Sequence, residues 1–135
     1  MSAKIRLKCP HCKEVVNIEY GLQVCPKCHN SVATENQASI YLYRQGSFVG
    51  IAGGFGVYIN GEPMGHIGNK ELLKIPVPYG SYIIHCAAGI NRKCKDLQIN
   101  LSPEHNVGYA KVHMKMGFWT NSFVVEPVDP NLLDL

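Results

Sequence analysis

The sequence predicts a mainly β protein, in which a small N-terminal hairpin unit precedes a β-sandwich of about seven or eight strands. Three observations predict this class. Two C-P-x-C motifs, CPHC at 9–12 and CPKC at 25–28, lie near the N-terminus. From Ser39 to Val128, short alternating or β-branched runs are separated by turn residues at intervals of roughly ten. No segment places apolar residues at the spacing of an amphipathic helix.

Composition indicates a globular protein. The chain of 135 residues is 46% hydrophobic and 17% charged, whereas a disordered chain would be poorer in apolar side chains. No run approaches the roughly 20 apolar residues of a membrane-spanning helix, and the start, MSAKIRLKCP, lacks the apolar run of a secretory signal. We therefore expect a cytoplasmic protein. Thiols stay reduced there, so the six cysteines indicate metal ligands or free thiols before disulfides.

The two cysteine pairs predict one structural metal site with Cys9, Cys12, Cys25 and Cys28 as ligands. Zinc takes four thiolates at tetrahedral corners, and a C-x-x-C turn places two sulfurs on one side of such a site. Pro10 and Pro26 fix φ near −65° after each first cysteine and help to form both turns. Four cysteines fill the coordination shell, so we expect one Zn²⁺ with a structural role and no catalysis at the metal.

Residues 5–34 resemble the small zinc ribbons found at the N-termini of many bacterial proteins. Those ribbons usually carry glycine after the second cysteine of each turn, where this chain has Lys13 and His29. The insert KEVVNIEYGLQV at 13–24 is expected to form a hairpin through a Tyr20-Gly21 turn that brings both cysteine turns together. A thioredoxin-like redox pair would need a βαβ context, which is absent from the pattern. Iron remains an alternative to zinc at four thiolates.

The second unit is predicted to contain only strands. Asn60-Gly61 marks a two-residue hairpin, since both residues tolerate positive φ. The predicted strands are Ile40–Arg44, Phe55–Asn60, Glu62–Ile67, Leu72–Val77, Tyr82–Ala88, Lys95–Leu101, Val107–Met116 and Ser122–Val128. With no helix to cover them, these strands must bury their apolar faces against one another in a sandwich.

The stretch VYINGEPMGHI, followed by IPVPYGSYII, resembles PEGA-type and carboxypeptidase-regulatory-like bacterial sandwiches. The likeness covers residues 55–90 and extends more loosely to IYLYR and to the strand from Tyr109 to Met116. It implies an Ig-like or prealbumin-like antiparallel β-sandwich that serves for binding or as a scaffold and has no catalytic residues. The expected organisation is a zinc ribbon at 1–34, a sandwich at 39–128 and a C-terminal tail at 129–135.

A nucleic-acid-binding protein that uses the zinc ribbon and one basic strand face is the alternative function. Lys111, His113 and Lys115 alternate with apolar residues, so they share one face. Phe118, Trp119 and Phe123 follow in the sequence, and aromatic side chains beside cations can hold a nucleic-acid strand. A divalent ion with four thiolates adds about −2 to the formal charge of +3, which leaves about +1. Bulk charge therefore favours a solvated sheet face over nucleic-acid binding.

The remaining thiols are expected to be structural. Cys86 and Cys94 flank a turn and could face each other across a hairpin, with His85 and His113 as conceivable further metal ligands. Small buried apolar residues are the more common role of such cysteines in a reducing compartment. No local Ser, His or Cys signature of an enzyme is present. We therefore expect a non-enzymatic zinc-binding adaptor or scaffold that interacts with another protein.

Overall fold

The computed structural model of the protein describes residues 3–18, 23–46, 55–87, 93–116 and 121–133. In these ranges the strands are β1 Lys4–Lys8, β2 Val15–Ile18, β3 Ala38–Arg44, β4 Phe55–Ile59, β5 Glu62–Ile67, β6 Leu72–Val77, β7 Gly80–Ala87, β8 Lys93–Lys95, β9 Leu97–Leu101, β10 Val107–Met116 and β11 Asn121–Pro127. A short 3-10 helix, Pro130–Leu133, follows β11. The prediction of a mainly β protein is confirmed. The predicted Tyr20-Gly21 turn and the aromatic residues Phe118 and Trp119 lie outside the described ranges.

The strands of the described ranges form two sheets. One has seven strands in the order β2-β1-β6-β3-β10-β11-β8, and the other has four in the order β5-β4-β7-β9. The sandwich was expected to be antiparallel, and most neighbours are. In the larger sheet, however, β1 runs parallel to β6, β10 to β3, and β8 to β11. These parallel pairs join strands that are distant in sequence, so hairpin signals could not have predicted them.

The main core lies between the two sheets. Ile40, Leu42, Val57 and Ile84 are completely buried there, as alternation along β3, β4 and β7 requires. Phe123 is also completely buried and packs edge-to-face on Phe55, with the ring centroids 4.4 Å apart. Phe123 is therefore a core residue and is not available to stack on a nucleic acid.

A buried arginine lies at one end of this core. The Arg44 guanidinium is 3.6 Å from the centroid of the Phe55 ring, and its Nη1 donates to the Ile67 carbonyl at 3.0 Å. Burial lowers the pKa of Arg44. The cation is held by the aromatic face and by backbone oxygen in place of water.

The Asn60-Gly61 hairpin has the predicted geometry. Ile59 pairs with Glu62, and φ is +51° at Asn60 and +81° at Gly61, as a type I′ turn requires. The Asn60 side chain also accepts from the Ile83 amide at 2.8 Å and so ties this turn to β7.

The prediction of one strand over Lys95–Leu101 is wrong. Lys93–Lys95 pairs with β11 in the larger sheet, whereas Leu97–Leu101 pairs with β7 in the smaller one. Asp96 is the single residue between these two strands. The β-rich run is continuous in sequence, and only the pairing partners reveal that the chain changes sheets in its middle.

The two faces of strand β1 have different roles, because one enters a small hydrophobic core and the other makes polar contacts. The strand pairs with β2 on one side and with β6 on the other, so the N-terminal hairpin continues the larger sheet. Ile5 and Leu7 project into a small second core. The buried members of this ribbon core are Ile5, Leu7, Cys9, Val16, Ile18, Cys25 and Val32. Because side chains alternate along a strand, Arg6 projects to the opposite face.

Arg6 joins the N-terminal hairpin to the four-stranded sheet. Its Nε donates to Asn17 Oδ1 at 2.8 Å, and its Nη1 donates to the carbonyl oxygens of Met64, at 3.3 Å, and His66. Its Nη2 lies 3.6 Å from Glu71 Oε1. Burial lowers the pKa of Arg6, and the Glu71 carboxylate opposes that shift. The carbonyl oxygens of β5 gain a charged donor that no apolar side chain could replace.

We predict that Arg6→Met lowers the free energy of unfolding by about 2–4 kcal/mol, because charged hydrogen bonds are lost and β5 carbonyls are left without a donor. Lys4→Met is the matched control. Lys4 contacts the same Glu71 at 3.0 Å, but its side chain is 59% exposed, so the loss should stay below about 1 kcal/mol. Urea unfolding of both variants makes the comparison. Equal losses would contradict the joining role of Arg6.

Candidate metal centre

The two cysteine motifs fold into two knuckles with the same backbone hydrogen bonds. In the first knuckle, the Cys9 amide donates to the Glu14 carbonyl at 2.8 Å and the Lys13 amide donates to the Cys9 carbonyl at 2.9 Å. In the second knuckle, the Cys25 amide donates to the Asn30 carbonyl and the His29 amide donates to the Cys25 carbonyl, both at 2.9 Å. The repeated C-P-x-C sequence therefore produces a repeated local structure.

Lys13 and His29 occupy the left-handed position of each knuckle. Both have φ of +64°, the region that favours glycine. The sequence resemblance to zinc ribbons leads us to expect glycine at both positions, and this chain adopts the left-handed backbone there with side chains that tolerate it less well. Both side chains are exposed, which avoids steric conflict with the ribbon core.

The four sulfurs converge on one point. Their ligand atoms all lie within 4.8 Å of one another, with 3.6 Å between the sulfurs of Cys9 and Cys28 and 3.7 Å between those of Cys12 and Cys25. A disulfide would require about 2.0 Å. Tetrahedral zinc with bonds of about 2.3 Å separates its sulfurs by about 3.8 Å. The donor set and spacing therefore fit one tetrahedral metal ion.

Polar groups around the sulfurs favour the thiolate form. The Lys27 amide lies 3.3 Å from Cys25 Sγ, and the Asn30 side-chain amide lies 3.4 Å from Cys28 Sγ. The hydrogen bond from the Asn30 backbone amide is the main reason that the pKa of Cys28 falls to about 6. Amide donors of this kind orient and stabilise thiolate ligands.

Cys12 behaves differently from Cys28. The Glu14 backbone amide favours its thiolate, but burial and hydrogen bonds shared with the other three sulfurs raise its pKa to about 12. Four thiolates at this spacing repel one another unless a cation lies between them. A divalent ion would therefore take the place of the shared protons.

The predicted hairpin between the knuckles differs from the observed pairing. Val15–Ile18 pairs with Lys4–Lys8 across the first knuckle, and Val24 forms an isolated bridge with Ser31 across the second. Each knuckle therefore lies at the turn between its own pair of antiparallel segments. His11 links the two, because its Nε2 lies 3.2 Å from the Ser31 carbonyl oxygen.

Cys86 and Cys94 do not face each other as strand partners. Cys94 pairs with Phe123 on β11, although its Sγ lies 3.4 Å from the Cys86 amide. Burial raises the pKa of Cys86 to about 12 and that of Cys94 to about 11. Neither thiol has the low pKa of a nucleophilic cysteine.

His85 and His113, which the sequence suggested as conceivable further ligands beside these cysteines, contact different acidic residues in the structure. His113 Nε2 lies 3.3 Å from Glu126, whereas His85 Nδ1 lies 2.7 Å from Asp96. Within the described residues, His85, Cys94 and Asp96 form a second group of potential ligand atoms. Sequence reasoning missed Asp96 because its proximity to His85 follows from the change of sheets between Lys95 and Leu97.

A cleft of about 580 Å³ lies where the N-terminal hairpin meets the sandwich. We call it the joint cleft. Its apolar lining includes Leu7 from the hairpin and Ile59, Met64 and Val77 from the sandwich. No sequence motif indicated it, because its walls come from segments that are distant in the chain.

The fold and the site define a mainly β protein with a four-cysteine cluster that can hold one metal ion. Comparisons with family models, with curated proteins and with solved structures found no match to this chain. The resemblance to zinc ribbons and to PEGA-type sandwiches thus stays a prediction from sequence. No helix of the described ranges has the length and apolar character needed to cross a membrane.

We predict that metal removal unfolds both knuckles and spares the sandwich. Structural zinc contributes about 10 kcal/mol or more to small metal units, which cannot bury enough apolar surface alone. Chelation should therefore raise amide hydrogen exchange at 9–12 and 25–28 to near the rates of an unfolded chain, while Ile40 and Leu42 keep their protection. Mass spectrometry of chelated and untreated protein measures both.

Two variants serve as the matched pair for this prediction. Cys25→Ser should lose the tightly held metal and show the same hydrogen-exchange pattern as the chelated wild type. Cys86→Ala should retain the metal. Unchanged knuckle exchange after complete chelation would disprove a structural role for the metal.

Proposed function

We propose that the protein is a non-enzymatic, zinc-stabilised adaptor that binds a short segment of another protein in the joint cleft. The observation that carries the proposal is the cleft itself, because it is formed jointly by the metal-bearing hairpin and the sandwich. Zinc is the favoured ion over iron because four cysteines with knuckle geometry are its usual structural site. The free cysteines suit a reducing compartment, and we assign the cytoplasm on that basis.

The floor of the joint cleft suits apolar side chains. Ile59, Met64 and Val77 are each 7–8% exposed, so they retain some accessible surface at the base of the cleft. The Tyr82 ring also lines it, and the Tyr82 hydroxyl donates to the Pro78 carbonyl at 2.6 Å. A volume of 580 Å³ is within the range of about 300–1,000 Å³ that small ligand sites occupy. It can receive a few side chains of a peptide.

The rim of the cleft supports a peptide rather than a purely apolar ligand. Lys8, Glu35 and Glu62 line it with both signs of charge, and Asn36 and Asn60 add side-chain amides. These five side chains are exposed. A peptide offers both charged side chains and backbone groups to such a rim, while its apolar side chains can enter the floor.

The cleft is held open by interactions on both of its sides. Arg6 fixes β1 to the β5 carbonyls, and the sulfur cluster anchors the knuckle that follows β1. A preformed cleft loses less conformational entropy on binding than a flexible one would lose. The raised pKa values of Cys86 and Cys94 support the non-enzymatic part of the proposal, since neither thiol is activated.

We predict that Ala33→Trp weakens peptide binding without lowering stability. Ala33 lines the cleft and is exposed, so a large ring there fills the cleft without disturbing the core. Peptides selected on the wild-type protein from a displayed random library should bind Ala33→Trp at least about tenfold more weakly, a loss of about 1.4 kcal/mol. Isothermal calorimetry with the selected peptides gives the affinities.

Glu104→Trp is the control, because Glu104 is exposed and does not line the cleft. The same peptides should bind it as they bind the wild type. The proposal fails if selection enriches no peptide, or if the enriched peptides bind Ala33→Trp with undiminished affinity.

Nucleic-acid binding is the second candidate, and one observation favours it. On the outer face of the larger sheet, Tyr41 and Tyr109 are paired and stacked, with ring centroids 5.4 Å apart at 18°. Lys74 is the partner of Tyr41 on β6, and Lys111 lies two residues after Tyr109 on β10. Stacked aromatic rings between cations form a platform for single strands.

Glu126 weakens this second candidate. Its Oε1 lies 3.4 Å from Lys111 Nζ and 3.3 Å from His113 Nε2, which offsets part of the positive charge. Of the three residues predicted for this face, Lys115 is the exposed one, whereas Lys111 and His113 are partly buried.

A titration with labelled single- and double-stranded oligonucleotides at two salt concentrations tests this candidate. If the outer face binds, replacement of Lys115 by alanine should weaken binding and reduce the salt slope by about one, as expected for one lost phosphate contact. Lys27→Ala, on the second knuckle, should change neither the affinity nor the salt slope. Fluorescence anisotropy reports the affinities, and binding that is absent or independent of salt removes this candidate.

A further inference from the structure

The chain changes sheets within three residues, and this change places three different metal-ligand types together. Cys94 is on β8, and Asp96 is the joint between β8 and β9. Residues two apart on an extended chain point to the same side. Both side chains therefore turn towards β7, where His85 Nδ1 lies 2.7 Å from Asp96 Oδ1.

The three potential ligand atoms form a compact and accessible group. The nitrogen, sulfur and oxygen atoms all lie within 4.8 Å of one another. The side chains of His85 and Asp96 are 40% and 43% exposed, so an ion can reach them from solvent. This group belongs to the sandwich and shares no residue with the four-cysteine cluster.

Neighbouring strands hold the group in position. The Cys94 sulfur is fixed by the Cys86 amide on β7 at 3.4 Å. His85 pairs with Tyr58 on β4, and their ring centroids are 5.7 Å apart. Ligands supported by packing and hydrogen bonds of this kind need little rearrangement to bind a metal.

We propose that His85, Cys94 and Asp96 bind a second divalent metal ion, with Zn²⁺ as the ion that their mixed donors match best. Imidazole, thiolate and carboxylate are the three side-chain donors that zinc accepts. Three protein ligands leave a fourth tetrahedral position open to water or to an exogenous donor, in contrast to the closed four-cysteine shell. On binding, the ion replaces the thiol proton of Cys94, which is released to solvent.

The required rearrangement is small. Tetrahedral zinc with bonds of about 2.0–2.1 Å separates its nitrogen and oxygen ligands by about 3.4 Å. The present His85–Asp96 contact is 2.7 Å, so these atoms must move apart by about 0.7 Å. Two partly exposed side chains can do this by small rotations about their own bonds, without movement of the strands.

The test is the metal stoichiometry of the intact protein after equilibration with Zn²⁺ and removal of unbound ion. Wild-type protein should retain about two equivalents, the second of which a mild chelator removes first because its shell is open. His85→Ala and Asp96→Asn should each retain about one equivalent. His105→Ala, which removes an exposed histidine outside the group, should retain about two.

Cobalt substitution adds a readout that identifies the ligand. In the wild type, the second equivalent of Co²⁺ should increase the absorption from sulfur-to-metal charge transfer. In Cys94→Ser this increase should be absent, while the absorption of the four-cysteine site remains.

His85→Gln is the variant to use if His85→Ala does not fold, since the Gln amide can still donate to Asp96 but offers no imidazole nitrogen. Retention of one equivalent by the wild type, or of two by His85→Ala, would overturn the proposal and leave His85 and Asp96 as a hydrogen-bonded surface pair.

Discussion

The alternation of side chains along β1 is the constraint on which the rest of the structure depends. Ile5 and Leu7 project into the ribbon core beside the four-cysteine cluster, while Arg6 between them reaches the other sheet. One strand of five residues thus serves the ribbon core with one face and holds the four-stranded sheet with the other. A shift of register by one residue would place an arginine against the cysteines and two apolar side chains against the β5 carbonyls.

Two different kinds of interaction hold the ends of this arrangement. We expect the knuckles to depend on a cation among the four sulfurs, because the ribbon core is too small to fold by apolar burial alone. The joint to the sandwich depends on a buried guanidinium that satisfies backbone oxygens. The joint cleft lies between these two fixed points, which explains how a surface cleft can keep its shape without a helix to support it.

Sequence predicted the features that local chemistry determines. The C-P-x-C spacing predicted which cysteines converge, and Asn60-Gly61 predicted its turn, since both depend on residues close in the chain. Alternating apolar residues located most strands. The pairing of β1 with β6 and the change of sheets at Asp96 were not predictable, because each depends on which distant strand is adjacent. Arg6 reads in sequence as an ordinary surface cation, and only the fold shows that it is buried.

The long-range parallel pairing of β3 with β10 has a consequence for the order of events during synthesis. All four cysteines of the cluster precede β3 in the chain, so they leave the ribosome before any strand of the larger sheet from β3 onwards. The centre of the larger sheet must instead wait for β10, which is separated from β3 in the chain by the strands β4 to β9. Until β10 is available, the edge of β3 opposite β6 has no strand partner, and an open strand edge is the part of a sheet that is prone to pair with other chains.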